Sequence, residues 1–283
     1  MIVVFTAIQV YVLPAMPDKP NTPFTLAGHR LVALRGPDAV RFAQAQFMSD
    51  VAALADGHWH WSGWLTPKGR VVALFALLRL DAERVWLVLP DADPVELAAQ
   101  LRRFVFRSKV VLEIPDLPVG GAFAEPLQAR GNVLAGSPDA GFELDMGGDG
   151  GARVLRIGAA AQAAPDDALQ SCWRLADLAH GLPRLEAGQA DRWTPQQLSL
   201  ERLRAFSVKK GCYPGQEIVA RTHFLGKVKR GLVLLAGDAP FEVGVDDVVS
   251  EASAGDEHIA LAVRPMEREP DPSERPLLDG LAR

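Results

Sequence analysis

Apolar residues recur with the period of a strand through much of residues 24–115. Apolar and polar positions alternate from Phe24 to Leu34 and from His58 to Trp64, as in strands with one buried face. Apolar runs over 70–80 and 84–89 predict two longer strands, separated by a short polar turn. A further strand is predicted from Lys109 to Ile114.

Two helices are predicted between these strands. Apolar positions from Ala39 to Phe47 have helical spacing and follow Pro37, a favoured residue at a helix start. Asp93-Pro94 caps a second helix that continues to about Phe104. The pattern indicates an α+β fold with antiparallel sheet.

Short strands and two more helices are predicted in the middle of the chain. The strand signals lie near 121–123, 142–144 and 153–157, with a hairpin loop between the last two. One helix is predicted from Pro165 to His180 and another from Gln196 to about Arg204.

The last part of the chain returns to the period of strands. Leu232–Ala236, Asp247–Ser250 and His258–Val263 are the predicted strands, as in a small barrel. The last fifteen residues are rich in Pro and Glu and are expected to fray. The expected organisation is an extension (1–23), an N-terminal α+β domain (24–115), a central α+β domain (116–229) and a short barrel-like domain with a frayed tail (230–283).

Composition restricts the class of protein. The chain has 283 residues, of which 48% are hydrophobic and 23% charged, which is typical of a soluble globular protein. Its two cysteines have no C-x-x-C spacing, so we expect a reducing compartment, by default the cytosol, and no zinc or cluster site. Residues 1–13 are apolar but too short to span a bilayer, and no cleavage site follows them. We interpret residues 1–15 as an extension upstream of Met16, a second plausible start; a strand that pairs with the core is the alternative.

Charge is unevenly distributed. The net charge is −5, yet residues 202–230 contain eight lysines and arginines against one acid, Glu217. A local basic stretch in an acidic protein indicates one anionic ligand or a docking patch. Because no aromatic residues interleave with these cations as in a nucleic-acid platform, direct nucleic-acid binding is not expected.

The run Lys210-Gly211-Cys212-Tyr213-Pro214-Gly215-Gln216-Glu217, here called the signature, combines a thiol, an amide and a carboxylate with two flexible glycines that bracket Cys212-Tyr213-Pro214. The glycines allow a sharp turn with Cys212 at its apex. Lys209 and Lys210 would favour the thiolate if they lie near it. Cys172 lies beside Trp173 on a predicted helix, and its simplest interpretation is a core residue.

The signature, an Ala220-Arg221 pair and the basic stretch 226–230 resemble the YgfZ-type folate-binding proteins, relatives of the glycine-cleavage T-protein. Upstream residues 173–177, 181–183 and 194–197 stand in the family's order. The family has an Asn-Leu pair where this chain has Ser199-Leu200. The resemblance implies related α+β folate-binding domains around a central cavity, followed by a β-barrel.

The resemblance also implies tetrahydrofolate, or a one-carbon derivative, as ligand. A folate needs a carboxylate or amide for the pterin edge, apolar walls, and cations for its glutamate tail. We expect Asp177 or Glu217, with the Gln216 amide, at the pterin edge. Trp59, Trp61 and Trp64 are candidates for an apolar wall, with core packing as the alternative. The candidates for the anionic tail are Arg174, Arg221, Lys227 and Arg230.

Two other chemistries are weaker. His223 follows Cys212 by eleven residues, but a surface histidine is the simpler interpretation. His58 and His60 share one face of a predicted strand, yet no third ligand accompanies them, so no metal site is expected.

One departure argues against a transferase. In the T-protein-like segment that begins at Leu65, the turn at Gly69 should precede an aspartate, but Val71, Val72 and Ala73 follow it. The leading hypothesis is an accessory protein for the assembly or repair of iron–sulfur proteins, with Cys212 as functional thiol. The alternatives are an aminomethyltransferase-like enzyme and a folate sensor without thiol chemistry.

Overall fold

The computed structural model describes residues 21–186, 188–226, 229–245, 247–269 and 271–283. The expectations for residues 1–20 and for Lys227 lie outside these ranges. The described chain forms three antiparallel sheets and four α-helices, which confirms the predicted α+β class. None of these helices has the length and apolar character needed to cross a bilayer.

The first sheet has five strands in the order β3-β4-β5-β2-β6. The helices α1 and α2 accompany it, and the Asp93 side chain accepts from the N–H groups of Val95 and Glu96 at the start of α2. The elements are β2 Arg30–Arg35, α1 Ala39–Gln46, β3 His58–Leu65, β4 Val71–Asp81, β5 Arg84–Leu89, α2 Pro94–Arg102 and β6 Val111–Glu113.

The second sheet has the order β1-β7-β10-β9-β8, and α3 follows it in sequence. Its first strand comes from the predicted N-terminal domain, because Phe24 pairs with Gly121. The elements are β1 Phe24–Thr25, β7 Val119–Ala122, β8 Ala135–Ser137, β9 Gly141–Asp145, β10 Val154–Ile157, a 3-10 turn Gly158–Ala161 and α3 Asp167–Ala179.

The third sheet is open in the part of the chain that the structure describes. Its order is β12-β13-β11-β14, and the closed barrel that the sequence predicts is not confirmed. The helix α4, which begins at Gln216 in the signature, precedes this sheet in the chain. The elements are α4 Gln216–Leu225, β11 Arg230–Gly237, β12 Val248–Ala254, β13 Glu257–Pro265 and β14 Glu274–Arg275.

The largest apolar cluster is shared by all three sheets. It joins Trp61 of β3, Leu144 of β9, Trp173 of α3 and Leu261 of β13, all at most 3% exposed. A second cluster lies between the first sheet and its two helices, where Phe47 and Phe75 meet edge to face at 5.0 Å. Burial of this much apolar surface is the main stabilising contribution to the fold.

Two predictions about local structure are wrong. Residues 196–204 form irregular turns rather than a helix, because Ser199 and Arg204 adopt positive φ angles of 49° and 54°, which break the helical ladder. The segment 277–283 does not fray: Leu281 is 2% exposed and the Leu278 N–H donates to Ala179 O at 2.9 Å. Apolar side chains and backbone hydrogen bonds hold this segment against α3 despite its composition.

Candidate functional site

The signature turn packs against the turn between β3 and β4. Gly215 is the N-cap of α4 with φ 79°, and a Cβ there would lie 2.6 Å from Thr66 O and 2.7 Å from Gly69 Cα. Gly69 itself has φ 70°. The two sequence motifs, the signature and the T-protein-like turn, therefore meet in the folded chain, and both glycines are needed at the contact.

Lys210 anchors the signature to α1, the helix that packs on the first sheet. Its side-chain ammonium donates to the backbone oxygens of Gln44, Phe47 and Ser49, the last at 2.9 Å. These are carbonyls at and beyond the C-terminus of α1, where a cation is favoured. Burial lowers the pKa of Lys210 to about 8, although the negative charge of Asp50 acts to raise it. The amine is therefore protonated at neutral pH.

Two further contacts fix the same loop. The Gln216 amide donates to Lys210 O at 2.9 Å, and the Tyr213 hydroxyl donates to Ser207 O at 3.1 Å. Tyr213 is buried, and its ring lies 4.8 Å from the Lys210 ammonium. Gln216 therefore supports the loop from within, whereas the sequence assigned it to the folate.

Cys212 is exposed at the apex of this anchored loop, and Cys172 is half-buried on α3. Burial, with the charge of Asp166, raises the pKa of the Cys172 thiol. The ammonium of Lys210 is committed to the three carbonyls, so its role is to hold the loop rather than to lie on the surface beside the thiol.

A buried polar cluster adjoins the anchor. The Ser49 hydroxyl lies 2.8 Å from His60 Nε2 and donates to the Ser62 hydroxyl at 2.6 Å. Burial lowers the pKa of His60 to about 4, so the imidazole is neutral. His58 instead bonds Asp56 O through Nδ1, and no cluster of three metal-ligating side chains occurs among the described residues.

The two α3 candidates have internal partners. Asp177 is 1% exposed, and its two oxygens accept from Arg153 at 2.7 Å and Arg184 at 3.3 Å. Arg174 donates to Glu251 O and pairs with Glu186 at 2.6 Å. Both residues hold α3 in place. The sequence did not indicate this role because Arg153 and the Glu251 carbonyl come from other parts of the chain, 24 residues from Asp177 and 77 from Arg174.

The remaining candidates lie on α4 and at the start of β11. Glu217 and Arg221 are exposed on α4. Arg230 is ion-paired with Asp247 and donates to Val263 O at 2.7 Å. Glu217 thus lies in the first turn of the helix that follows the Cys212 loop and Arg221 about one turn further along it, while Arg230 belongs to the third sheet.

The start of β4 has no acid. Val71 is buried at 0% exposure and Ala73 at 2%, and the Val71 N–H donates to Trp193 O at 2.8 Å. The Ser199 that replaces the family's asparagine accepts from the Leu232 N–H at 3.1 Å. Sequence reasoning missed the roles of Ser49, His60 and Arg153; only the position of Lys210 within the signature gave a signal for the anchor.

The sequence is similar to several bacterial proteins over most of its length. It is 29% identical to "tRNA-modifying protein YgfZ" of Serratia proteamaculans, covering 82% of this chain and 78% of that protein. The same name belongs to a Klebsiella pneumoniae relative, 27% identical over 78% of this chain and 73% of the relative. No family model matches the chain.

The fold is similar to that of a solved enzyme. Glycine cleavage system aminomethyltransferase T from Bartonella henselae superposes with a TM-score of 0.68 at 17% identity, over 86% of this chain and 78% of that chain. At that identity the likeness concerns the fold. The relatives named YgfZ and the signature support a YgfZ-type protein, and the structural match supports an aminomethyltransferase-T-like fold.

Proposed function

We propose that this chain is a tetrahydrofolate-binding accessory protein in which Cys212 is the functional thiol. The observation that carries the proposal is an exposed cysteine on a loop with three supports. These are the buried Lys210 ammonium, the hydrogen bond from the Gln216 amide to Lys210 O, and the contact of Gly215 with Gly69. A surface loop without a function does not need three independent supports. Such preorganisation is what a reactive or ligand-holding side chain requires.

Folate binding is supported by the fold and by the relatives. The candidate residues fall into two groups, those free to contact the ligand and those already engaged with other side chains. We assign the anionic glutamate tail to Arg221, which is exposed, and to Lys227. Asp177, Arg174 and Arg230 are engaged with internal partners and support the framework. Glu217 is exposed to solvent, so an enclosed acceptor for the pterin edge has to come from other residues.

The process served is inferred from two directions. The relatives carry the words "tRNA-modifying protein", and the resemblance to YgfZ-type proteins implies support of iron–sulfur proteins. An accessory protein whose clients are cluster-containing enzymes of tRNA modification satisfies both. This role requires contact with client proteins rather than direct binding of tRNA.

Aminomethyl transfer is the less favoured function. The apolar start of β4 offers no carboxylate to orient the reactive nitrogen of a folate. Incubation with an aminomethylated lipoyl carrier and tetrahydrofolate should give no methylenetetrahydrofolate above background. Turnover on the order of one per second would restore the enzyme hypothesis.

Calorimetric titration with tetrahydrofolate tests the binding. We expect saturable heat, and Arg221→Ala should weaken a polyglutamylated folate more than the monoglutamate because the lost contact is electrostatic. Arg41→Ala removes the same charge from an exposed position on α1 and is the matched control. Absence of both heat and thermal shift at millimolar ligand would reject folate binding.

A further inference from the structure

The loop between α2 and β6, residues 103–110, exposes aromatic and basic side chains together. Phe106 is 89% exposed and Phe104 48%. Three exposed cations accompany these rings and the loop contains no acid; the cations are Arg103, Arg107 and Lys109. Single exposed apolar residues are common on protein surfaces, but aromatic rings interleaved with cations are typical of a binding surface.

The fold holds this loop at both ends. The Phe104 ring packs edge to face on Trp64, with the ring centres 6.0 Å apart. At the other end, the Lys109 N–H donates to the Asp38 carboxylate at 2.7 Å. Phe106 lies between these anchors with a φ of 28°, a backbone conformation that residues other than glycine rarely adopt. The exposure of this ring is therefore part of the folded conformation of the loop.

The surroundings of the Phe106 ring are positively charged. The guanidinium carbon of Arg107 lies 5.4 Å from the ring centre, within the range of a cation–π contact. Two acids border the loop, and each has a basic partner outside it; the pairs are Asp38–Arg41 at 3.9 Å and Glu113–Arg35 at 3.8 Å. Among the described residues, no acid forms an ion pair with the loop's three cations. The loop thus presents a flat ring within a positive patch.

We propose that the α2–β6 loop binds single-stranded RNA, with one base stacked on Phe106 and the flanking phosphates at the loop's cations. An aromatic face accepts any base, and the cations neutralise phosphates, so the binding has little sequence preference. Unpaired bases are available in the loops of folded RNA. The expectation that no nucleic acid binds directly rested on residues 202–230, where aromatic residues do not interleave with the cations. This activity is additional to the accessory role, which needs only contact with client proteins.

An anionic membrane suits the same loop less well. Membrane-binding surfaces bury a broad apolar face, whereas this loop offers one nearly fully exposed ring and a second that is about half covered. RNA uses both properties of the surface. The ring stacks on a base, and the planar guanidinium groups of Arg103 and Arg107 match the geometry of phosphate oxygens.

Fluorescence anisotropy with a labelled single-stranded RNA of about twelve nucleotides tests the inference. Phe106→Leu keeps an apolar side chain but removes the flat ring, so it should weaken binding about fivefold to a hundredfold, the loss of one stacked base. Phe106→Trp keeps a flat ring and should bind at least as tightly as wild type. Phe224→Leu, at a phenylalanine of α4 that is 65% exposed, is the matched control and should bind as wild type does.

Arg103→Gln tests the phosphate contact. It should weaken binding and reduce the slope of log affinity against log salt by about 0.7–1, because one cation no longer releases a counterion. An unchanged slope would reject that contact. Vesicles of phosphatidylglycerol and phosphatidylcholine, in equal parts, form the competing arm of the experiment.

A loss in Phe106→Leu, with binding retained in Phe106→Trp and Phe224→Leu, supports the inference. Absence of RNA binding by wild type, equal binding by Phe106→Leu, or an equal loss in Phe224→Leu rejects it. Binding to the vesicles in place of RNA also rejects it. The titration with tetrahydrofolate is independent of all these outcomes, so the proposed function stands or falls separately.

Discussion

Gly215 stands over Gly69 so closely that a Cβ on Gly215 would lie 2.7 Å from Gly69 Cα. The contact joins the signature turn to the turn between β3 and β4. It explains why both turns carry glycine, since backbone meets backbone there. The same contact places the Cys212 loop at the edge of the first sheet.

Gly215→Ala should destabilise the protein by about 1–3 kcal/mol, because alanine is strained at φ 79° and its methyl group meets the backbone of Thr66 and Gly69. Gly211→Ala is the matched control: a Cβ there meets no atom within 4 Å. Chemical unfolding measures both free energies. Equal stability of the two variants would mean that the turns do not pack as described.

Lys210→Met should cost about 1–3 kcal/mol, because it leaves the carbonyls of Gln44, Phe47 and Ser49 without their donor. It should also loosen the Cys212 loop, detectable as faster hydrogen exchange over residues 210–217. Lys209→Met, at the exposed residue just before Lys210, should stay within about 0.5 kcal/mol of wild type. If Lys210→Met destabilises the protein no more than Lys209→Met does, the anchoring role of Lys210 is contradicted.

Two buried histidines predict a pH dependence of stability. Burial lowers the pKa of His60 and of His180 to about 4 from an unfolded value of 6.5. The unfolded chain therefore takes up protons first as the pH falls, and stability is lost from pH 6.5 downward until the folded pKa near 4 is reached. Between pH 6.5 and 5 each histidine should account for about 1.5 kcal/mol.

The variants His60→Gln and His180→Gln isolate these contributions. Each should flatten the decline in unfolding free energy between pH 6.5 and 5, measured by denaturant titration at several pH values. His180 is held by Ala176 O at 2.7 Å and accepts from the Gly150 N–H, so it needs the neutral form. An unchanged slope in both variants would show that other groups cause the decline.

The two thiols should differ in reactivity. Cys212 is exposed, whereas Cys172 is half-buried with a raised pKa. Alkylation of the native protein near neutral pH, followed by peptide mass spectrometry, should label Cys212 first, since the thiolate is the nucleophile. Unfolded protein, in which both thiols are accessible, is the control. Preference for Cys172 in the native state would reject Cys212 as the accessible thiol.

Local signals predicted the regular elements well. The strand over 84–89 and the helix start at Asp93-Pro94 agree with β5 and α2, because alternation and capping are properties of neighbouring residues. The helix predicted over 196–204 is absent, since Ser199 and Arg204 have positive φ angles and Ser199 accepts from the Leu232 N–H of β11. The burial of residues 277–283 was missed because their partners, Ala179 and Trp61, come from other parts of the chain.

The candidate site shows the same division. The signature alone was enough to predict that the Cys212 thiol is exposed. The carboxylate of Asp177, by contrast, was assigned to a ligand, whereas in the structure it is paired with two arginines. One of them, Arg153, lies just before β10, and nothing in the local pattern marks it as a partner. Side-chain type gives the available chemistry, whereas tertiary contacts decide which groups remain free to use it.

The central claim is an accessory role that depends on the Cys212 thiol, and complementation tests it most directly. In a strain that lacks this protein, the activity of cluster-dependent enzymes, including those that modify tRNA, is compared after return of wild type, Cys212→Ala or the control Cys172→Ala. We predict rescue by wild type and Cys172→Ala and none by Cys212→Ala, with all three proteins at equal abundance and with equal tetrahydrofolate affinity. Full rescue by Cys212→Ala would contradict the account.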